Sequence, residues 1–122
     1  MVPAGNFAGM TELAERSCVP CRGGVPPLNE KEIEPLLAQL DGWQVSEGRR
    51  LTKRYKLHDF REALALVDRI GAIAEEQNHH PDLALAWGRV EVTIWTHKID
   101  GLTESDFIFA AKCDRTYEAM SR

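Results

Sequence analysis

Apolar residues recur along the chain at two spacings, and the change from one spacing to the other marks the predicted helices and strands. Side chains repeat every three to four positions in the helical stretches and alternate in the strand-like ones. The helical stretches are residues 29–40, 59–78 and 103–117, and the strand-like stretches are residues 43–46, 51–57, 83–87 and 90–96. This order, α-β-β-α-β-β-α, predicts an α+β fold with a single antiparallel four-stranded sheet and helices packed on one face.

Each predicted helix begins with a polar residue followed three positions later by an acidic one. This is the capping-box pattern, which satisfies free backbone N–H groups at a helix start. The pairs are Asn29 with Glu32, Asp59 with Glu62, and Thr103 with Asp106. Pro35 conflicts with the first helix, because its ring opposes the carbonyl four residues earlier and it donates no hydrogen bond. We therefore expect that helix to kink or to begin late.

The third and fourth strands are joined by Gly88-Arg89, which fits a two-residue type II′ hairpin turn with glycine in the first position. Continued along both strands, the register set by this turn places His80 directly opposite His97, with their Cβ atoms about 5 Å apart. Two imidazoles that are distant in sequence are thus predicted to meet, and His79 is the covalent neighbour of one of them.

A chain of 122 residues, 43% of them hydrophobic, is long enough to bury one core, and no linker divides it. Residues 1–9 are small and aperiodic, and residues 18–24 are rich in turn-forming residues. We therefore expect residues 1–26 to be a loosely ordered N-terminal extension. Residues 27–122 are expected to form a single domain.

Composition and charge narrow the functional classes. With 15 basic and 19 acidic residues, the net charge is −4 and no basic stripe is present, so nucleic acid is not an expected partner. No apolar stretch approaches transmembrane length and the first residues do not resemble a secretory signal, so no membrane association is expected. Three cysteines cannot all pair within one chain, which favours a reducing, cytoplasmic setting.

Cys18 and Cys21 have the spacing of half a zinc knuckle, but a structural zinc site needs four ligands and no second cysteine pair follows. Cys113 and His58 could complete a site only by coincidence of folding. A turn-rich arm that carries two thiols is the simpler interpretation, and no metal site is predicted.

Three histidines are predicted to converge where the second helix ends and the last hairpin begins: His79, His80 and His97. Histidine titrates nearest to neutral pH, so a cluster of histidines can give and take protons without a metal or a cofactor. Pro81 restricts the residue before it, His80, to an extended backbone and so fixes the approach of that imidazole. His58 has no such convergence and is assigned a structural role.

Each of these side chains also has a more ordinary explanation. A histidine at a helix C-terminus, such as His79, interacts favourably with the helix dipole, and Glu75 one turn earlier can form a local pair. Asp106 can simply complete a capping box. Three histidines could instead bind catalytic zinc, although adjacent residues in an extended stretch point to opposite sides and rarely share one ion.

The order of these residues resembles the motif of the pterin-4a-carbinolamine dehydratase family, also called dimerization cofactor of a homeodomain transcription factor. That motif is an acidic residue, three residues, His-His-Pro, an aromatic residue, a further histidine and an aspartate. Here these positions hold Glu75, His79-His80-Pro81, Trp87, His97 and Asp106. The resemblance extends from about residue 27 to about residue 117.

The resemblance implies a hydro-lyase that dehydrates 4a-hydroxytetrahydrobiopterin, the carbinolamine left by aromatic amino acid hydroxylases, to quinonoid dihydropterin in tetrahydrobiopterin recycling. It implies a functional link to such a hydroxylase, a homodimer or homotetramer of the same α+β fold, and no cofactor, because the pterin is the substrate. The implied catalytic residues are His79, His80 and His97, with His80 the first choice as acid or base, and the implied substrate-binding residues are Glu75, Pro81, Trp87 and Asp106.

An alternative from another class is a non-catalytic assembly or dimerization factor on the same fold. Members that have abandoned catalysis would be expected to lose the histidine motif, whereas this chain keeps every position of it. The enzyme is therefore the favoured interpretation.

Overall fold

The apolar periodicities form helices and strands in the predicted order in the computed structural model, which describes residues 13–19 and 25–120. The helices are α1 (Glu30–Leu37), α2 (Phe60–Gln77) and α3 (Glu104–Met120). The strands are β1 (Gln44–Ser46), β2 (Arg50–Lys56), β3 (Asp82–Ala86) and β4 (Arg89–Ile94), and a 3₁₀ turn, His97–Ile99, follows β4.

The strands form one antiparallel sheet in the order β1-β2-β4-β3. Alternate residues of the central strands β2 and β4 bury one face of the sheet against α2 and α3, as the period of two in a strand requires. The largest buried side chains of this core include Leu51, Tyr55, Leu66, Ile70, Val90, Val92, Ile94, Phe107, Ile108 and Phe109. The predicted α+β fold, with one four-stranded sheet and helices on one face, is confirmed.

Helix α1 begins where the capping box predicts. The Asn29 side chain accepts a hydrogen bond from the Glu32 N–H at 2.9 Å, and the Glu32 carboxylate accepts one from the Asn29 N–H at 2.9 Å. Pro35 lies inside the helix, which ends two residues later at Leu37. The expectation of a late start is therefore wrong, because the reciprocal cap fixes the first turn and the proline falls near the end of a short helix.

Helix α2 forms only half of its predicted capping box. The Asp59 side chain accepts from the Glu62 N–H at 2.9 Å, but the Glu62 carboxylate accepts from the His58 N–H at 2.9 Å instead of from Asp59. The Glu62 side chain therefore binds the backbone of His58, the residue before the cap, and not the backbone of Asp59 itself.

The last hairpin differs from the prediction in its turn and in its register. Its loop is Trp87-Gly88, with Gly88 second and at a φ of +69°, a conformation that glycine adopts without strain. Leu85 consequently pairs with Val90, two residues from the partner that the predicted turn assigns to it. The predicted pairing of His80 with His97 is therefore wrong. A displacement by two residues keeps every side chain on its predicted face, so the core residues of the hairpin are unaffected.

Residues 13–19 pack against α3. Leu13 is 2% exposed, Lys112 donates a hydrogen bond to the Ala14 carbonyl at 2.7 Å, and Arg16 forms an ion pair with Glu104 at 2.9 Å. The loosely ordered extension expected over residues 1–26 therefore does not extend to this segment. Residues 1–12 and 20–24 lie outside the described part of the chain.

A buried carboxylate, Asp114 of α3, links that helix to β2 and to the residue before β1. It is 5% exposed and accepts hydrogen bonds from the Tyr55 hydroxyl at 2.5 Å, the Lys53 ammonium at 2.9 Å and the Trp43 indole N–H at 3.1 Å. Burial is the main cause that raises the pKa of Tyr55 well above its usual range, so this hydroxyl stays a donor at every ordinary pH. The network joins three separate segments, and no local pattern predicts it.

Asp114→Ala is expected to lower the free energy of unfolding by about 3–5 kcal/mol, because a mostly buried ammonium loses its carboxylate partner and two buried donors lose their acceptor. Glu104→Ala removes an exposed partner of Arg16 and is expected to cost less than about 1 kcal/mol. Urea unfolding of both variants at one protein concentration measures the difference. Similar losses in the two variants would contradict the larger contribution to stability that is assigned to the buried network.

Candidate active site

The end of α2, the residues after β4 and the N-terminal segment meet around a cavity of about 200 Å³. Its lining side chains come from three segments that are far apart in sequence. They are Val19, Asn78, His79, His80, Trp95, Thr96, His97 and Lys98. The three histidines thus share one cavity, although the strand pairing predicted to bring them together is not formed.

A left-handed residue at the end of α2 turns the chain toward this cavity. Asn78 has a φ of +52° and a ψ of +45°, and its N–H bonds to the Ala74 carbonyl in the last turn of the helix. Asparagine tolerates this conformation better than most residues. His79 and His80 therefore leave helical geometry at once, and their imidazoles reach two different carboxylates.

His79 is held by a buried carboxylate at the start of α3. Its Nε2 lies 2.6 Å from Oδ1 of Asp106, whose exposure is 0%. The other oxygen, Oδ2, accepts hydrogen bonds from the Thr103 N–H and the Thr96 hydroxyl, both at 2.9 Å. The two sequence interpretations of Asp106, helix cap and site residue, therefore use different oxygens of the same carboxylate.

His80 is held by an exposed carboxylate. Its Nε2 lies 2.6 Å from Oε2 of Glu75, and the two side chains are 50% and 80% exposed. The local pair expected between Glu75 and His79 is not the one that forms, because the turn at Asn78 brings the following histidine back toward the helix.

His97 is held by ring stacking. The centre of its imidazole lies 4.4 Å from that of the Trp95 ring, and the two planes differ by 21°. Its backbone belongs to a turn closed by the Thr96 N–H, which donates to the Gly101 carbonyl at 2.8 Å. Glycine is needed at this closure, because a Cβ on Gly101 would lie 2.5 Å from the Cβ of Pro27.

Val19 forms another wall of the cavity, and its position is fixed by backbone hydrogen bonds of residues 18 and 19. The Val19 N–H donates to Ser105 Oγ and the Cys18 N–H to Gln77 Oε1, both at 2.8 Å. Burial, the largest cause, raises the pKa of the Cys18 thiol to about 11, so at neutral pH its sulfur is not the thiolate that metals bind. Cys21, the other half of the knuckle spacing, lies outside the described residues.

The predicted substrate-binding residues divide into two groups. Glu75 and Asp106 bond to site histidines, whereas Pro81 and Trp87 do not line the cavity within residues 13–19 and 25–120. Trp87 lies at the tip of the last hairpin and is 72% exposed. The aromatic side chain at the cavity is Trp95, which the sequence interpretation missed. The sequence could have indicated Trp95, because it lies two residues before His97 and alternate residues of an extended chain share a side.

Two histidine–carboxylate pairs and a third imidazole around one cavity can move protons. In each pair the carboxylate orients the ring, and an oriented imidazole can donate or accept a proton. Within the described ranges, no group hydrogen-bonds to the ring nitrogens of His97. A ligand in the cavity therefore faces several groups that can donate or accept a proton.

The described ranges contain neither a metal-binding cluster nor a membrane-spanning helix. No three histidine, cysteine, aspartate or glutamate side chains of residues 13–19 and 25–120 are grouped so as to hold a metal ion. No helix in those same stretches is both long and apolar enough to cross a membrane.

Comparison with known proteins gives a family and related structures. The model of a family described as pterin 4 alpha carbinolamine dehydratase matches residues 26–116. A Rubrobacter xylanophilus protein, provisionally named a pterin-4-alpha-carbinolamine dehydratase, is 60% identical over 106 residues, which cover 87% of this chain and 99% of that protein.

Two solved structures share the fold. A transcriptional coactivator/pterin dehydratase from Brucella melitensis is 37% identical, with a TM-score of 0.70 over 74% of this chain and 97% of that one. A pterin dehydratase-like protein, identified as a RuBisCO assembly factor in the alpha-carboxysome, is 23% identical, with a TM-score of 0.54 over 62% of this chain and 89% of that one. The second likeness is one of fold.

The two histidine–carboxylate pairs are expected to differ in their effect on stability. Asp106→Ala removes a fully buried acceptor of three hydrogen bonds and is expected to lower the free energy of unfolding by about 3 kcal/mol. Glu75→Ala removes an exposed partner and is expected to cost less than about 1 kcal/mol. Urea unfolding compares the variants, and an equal or larger loss in Glu75→Ala would contradict this description of the site.

Proposed function

The chain belongs to the pterin 4 alpha carbinolamine dehydratase family, and from that membership we propose that it dehydrates 4a-hydroxytetrahydrobiopterin to quinonoid dihydropterin and water. The observation that carries the proposal is the meeting of His79, His80 and His97 at one cavity. These are the residue types that an elimination by proton transfer requires.

The size of the cavity fits the ring system of this substrate class. Pockets for drug-sized ligands measure about 300–1,000 Å³. A cavity of about 200 Å³ is smaller, and is suited to a bicyclic ring whose side chain remains outside.

The proposed reaction breaks one carbon–oxygen bond and removes two hydrogens as part of one water molecule. A general acid protonates the hydroxyl on ring carbon 4a, the carbon–oxygen bond breaks, and water leaves. A general base takes the proton from the neighbouring ring nitrogen, and the electron pair of that N–H bond forms the double bond between this nitrogen and carbon 4a. The protein therefore ends with as many protons as it had at the start. Each positioned proton-transfer group contributes about 10²- to 10⁴-fold in rate.

We assign the leading acid/base role to His80. Its Nε2 is occupied by Glu75, no described group hydrogen-bonds to its Nδ1, and its half-exposed ring lines the cavity. His79 and His97 are proposed as the further catalytic histidines. Asp106 and Glu75 are proposed to act through the imidazoles that they orient.

The proposal includes the setting of the reaction. We propose that neither a metal nor a cofactor takes part, and that the protein works in the cytoplasm in tetrahydrobiopterin recycling. An aromatic amino acid hydroxylase would then supply the carbinolamine.

Wild-type protein is expected to accelerate carbinolamine breakdown in a stopped-flow assay, at a rate that a chelator leaves unchanged. His80→Ala is expected to lower kcat by about 10²- to 10⁴-fold, the contribution of a positioned acid or base. His58→Ala is the matched control and should keep full activity, because His58 is exposed at the start of α2 and does not line the cavity.

Two other outcomes of this assay would each favour a different function. Activity that is lost with the chelator would favour a zinc enzyme. A folded wild-type protein without activity on any pterin would favour a non-catalytic assembly factor. That role is identified for the pterin dehydratase-like RuBisCO assembly factor that shares this fold.

We also propose that the protein assembles as a homodimer or homotetramer through α2 and the edge strand β3. These elements contact each other and expose large apolar side chains. The side chains are Phe60 and Leu64 of α2 and Leu85 of β3, exposed by 45%, 51% and 37%, and Trp87 in the loop after β3 is 72% exposed. Large exposed apolar side chains on neighbouring elements are typical of protein interfaces.

Leu64→Lys is expected to shift the assembly toward the monomer, because it introduces a charge into the apolar surface. Val25→Lys is the control, since Val25 is similarly exposed, at 43%, but lies outside α2 and β3. Sedimentation velocity measures the mass. A wild-type protein that is monomeric at micromolar concentration would overturn the proposal, as would equal effects of the two substitutions.

A further inference from the structure

Trp95 stacks on His97 at the wall of the cavity, and Arg50 lies over the Trp95 ring. We propose that Trp95 and Arg50 are positioning residues that hold the His97 imidazole for proton transfer. The inference rests on the proposed dehydratase function. Neither residue belongs to the histidine motif, and each reaches the site through the pairing of β2 with β4.

The sheet register brings the two residues together. Leu51 of β2 pairs with Ile94 of β4, so the next positions outward, Arg50 and Trp95, lie across from each other. The guanidinium carbon of Arg50 is 4.1 Å from the centre of the Trp95 ring, the geometry of a cation–π contact. The same ring stacks on the His97 imidazole at 4.4 Å.

An acidic residue connects this group back to the backbone of His97. Asp100 accepts hydrogen bonds from Arg50 Nη1 at 3.2 Å and from Arg49 Nη1 at 2.7 Å. It also follows the 3₁₀ turn that begins at His97, and its N–H donates to the His97 carbonyl at 3.2 Å. The contacts therefore form a closed ring from imidazole to indole, guanidinium, carboxylate and back to the same turn.

Stacking restrains His97 differently from the way carboxylates restrain the other two histidines. His79 and His80 each commit Nε2 to an acidic oxygen. A stack fixes the plane of the ring and leaves both nitrogens open to the substrate, because its contacts are made through the faces of the rings. His97 can therefore act as donor or acceptor without first breaking a hydrogen bond within residues 13–19 and 25–120.

Trp95 also lines the cavity, so it could act by stacking on the pterin itself. The two roles differ in what they require of His97. If Trp95 acts by positioning His97, its substitution has no effect on activity once the imidazole is absent. If Trp95 stacks on the substrate, its substitution still lowers activity. A double-mutant cycle separates the two.

The experiment compares Trp95→Leu with Trp95→Phe in stopped-flow dehydration, in the wild-type and the His97→Ala backgrounds. In the wild-type background, Trp95→Leu is expected to lower kcat by about 10- to 100-fold, the effect of a misplaced catalytic group, and to leave KM within about twofold. Trp95→Phe keeps a flat ring and should restore most of kcat. In the His97→Ala background, Trp95→Leu should have no further effect.

Arg50→Met is the second variant, because Arg50 is the first residue of β2 and its partly exposed side chain does not belong to the core. Like Trp95→Leu, it is expected to lower kcat only when His97 is present. Arg54→Met is its control: Arg54 lies on the same face of the same strand and pairs with Glu91, away from the cavity. Equal effects of Arg54→Met and Arg50→Met would overturn the proposal.

Equal losses from Trp95→Leu in both backgrounds would overturn the proposal, as would a rise in KM at constant kcat, which would assign Trp95 to pterin stacking. Carbon-13 relaxation of the His97 ring provides a readout that needs no activity. The ring is expected to be rigid in the wild type and mobile in Trp95→Leu. If the wild-type protein has no dehydratase activity, the proposed function fails. If it is active but the ring stays equally rigid in the variant, only the positioning role fails.

Discussion

One fully buried carboxylate, that of Asp106, joins the parts of the chain that make the cavity. Through one oxygen it orients His79 at the end of α2, and through the other it accepts hydrogen bonds from the end of β4 and the start of α3. A buried carboxylate is stable only when its oxygens are satisfied, and here each has a partner. The geometry that satisfies Asp106 therefore also fixes where the helix end, the strand end and the next helix meet.

The three histidines around this junction are restrained in three ways. His79 lies on a buried acid, His80 on an exposed acid and His97 on an aromatic ring. Because the restraints differ, the three rings face one cavity with different access to water and different free nitrogens. Elimination of water needs groups with opposite tasks, an acid and a base, and unequal environments are how one residue type can serve both.

Much of the fold could be predicted because its signals are local. The caps at Asn29 and Asp59 and the alternation along β4 depend on residues close in sequence, and they form essentially as expected. The hairpin register failed because glycine suits either turn position, and a displacement of two residues leaves the hydrophobic pattern unchanged. The histidines converge nonetheless, since the turn at Asn78 and the 3₁₀ turn after β4 direct them to the cavity.

What could not be predicted depends on contacts between distant segments. Asp114 collects donors from two other segments, and Trp95 meets Arg50 only once β2 and β4 are in register. Val19 reaches the cavity because Ser105 of α3 bonds to its backbone. No spacing within the sequence encodes such contacts, although the histidine motif itself identified three of the residues that line the site.

The proposed dehydration requires that this cavity receive the pterin ring between the three histidines. The most direct measurement is an NMR titration of the folded protein with an unreactive dihydropterin, following the imidazole resonances of all four histidines. Saturable shifts are expected at His79, His80 and His97, with His58 unchanged. Shifts that are absent, or that appear at His58 and leave the other three untouched, would contradict pterin binding at this site.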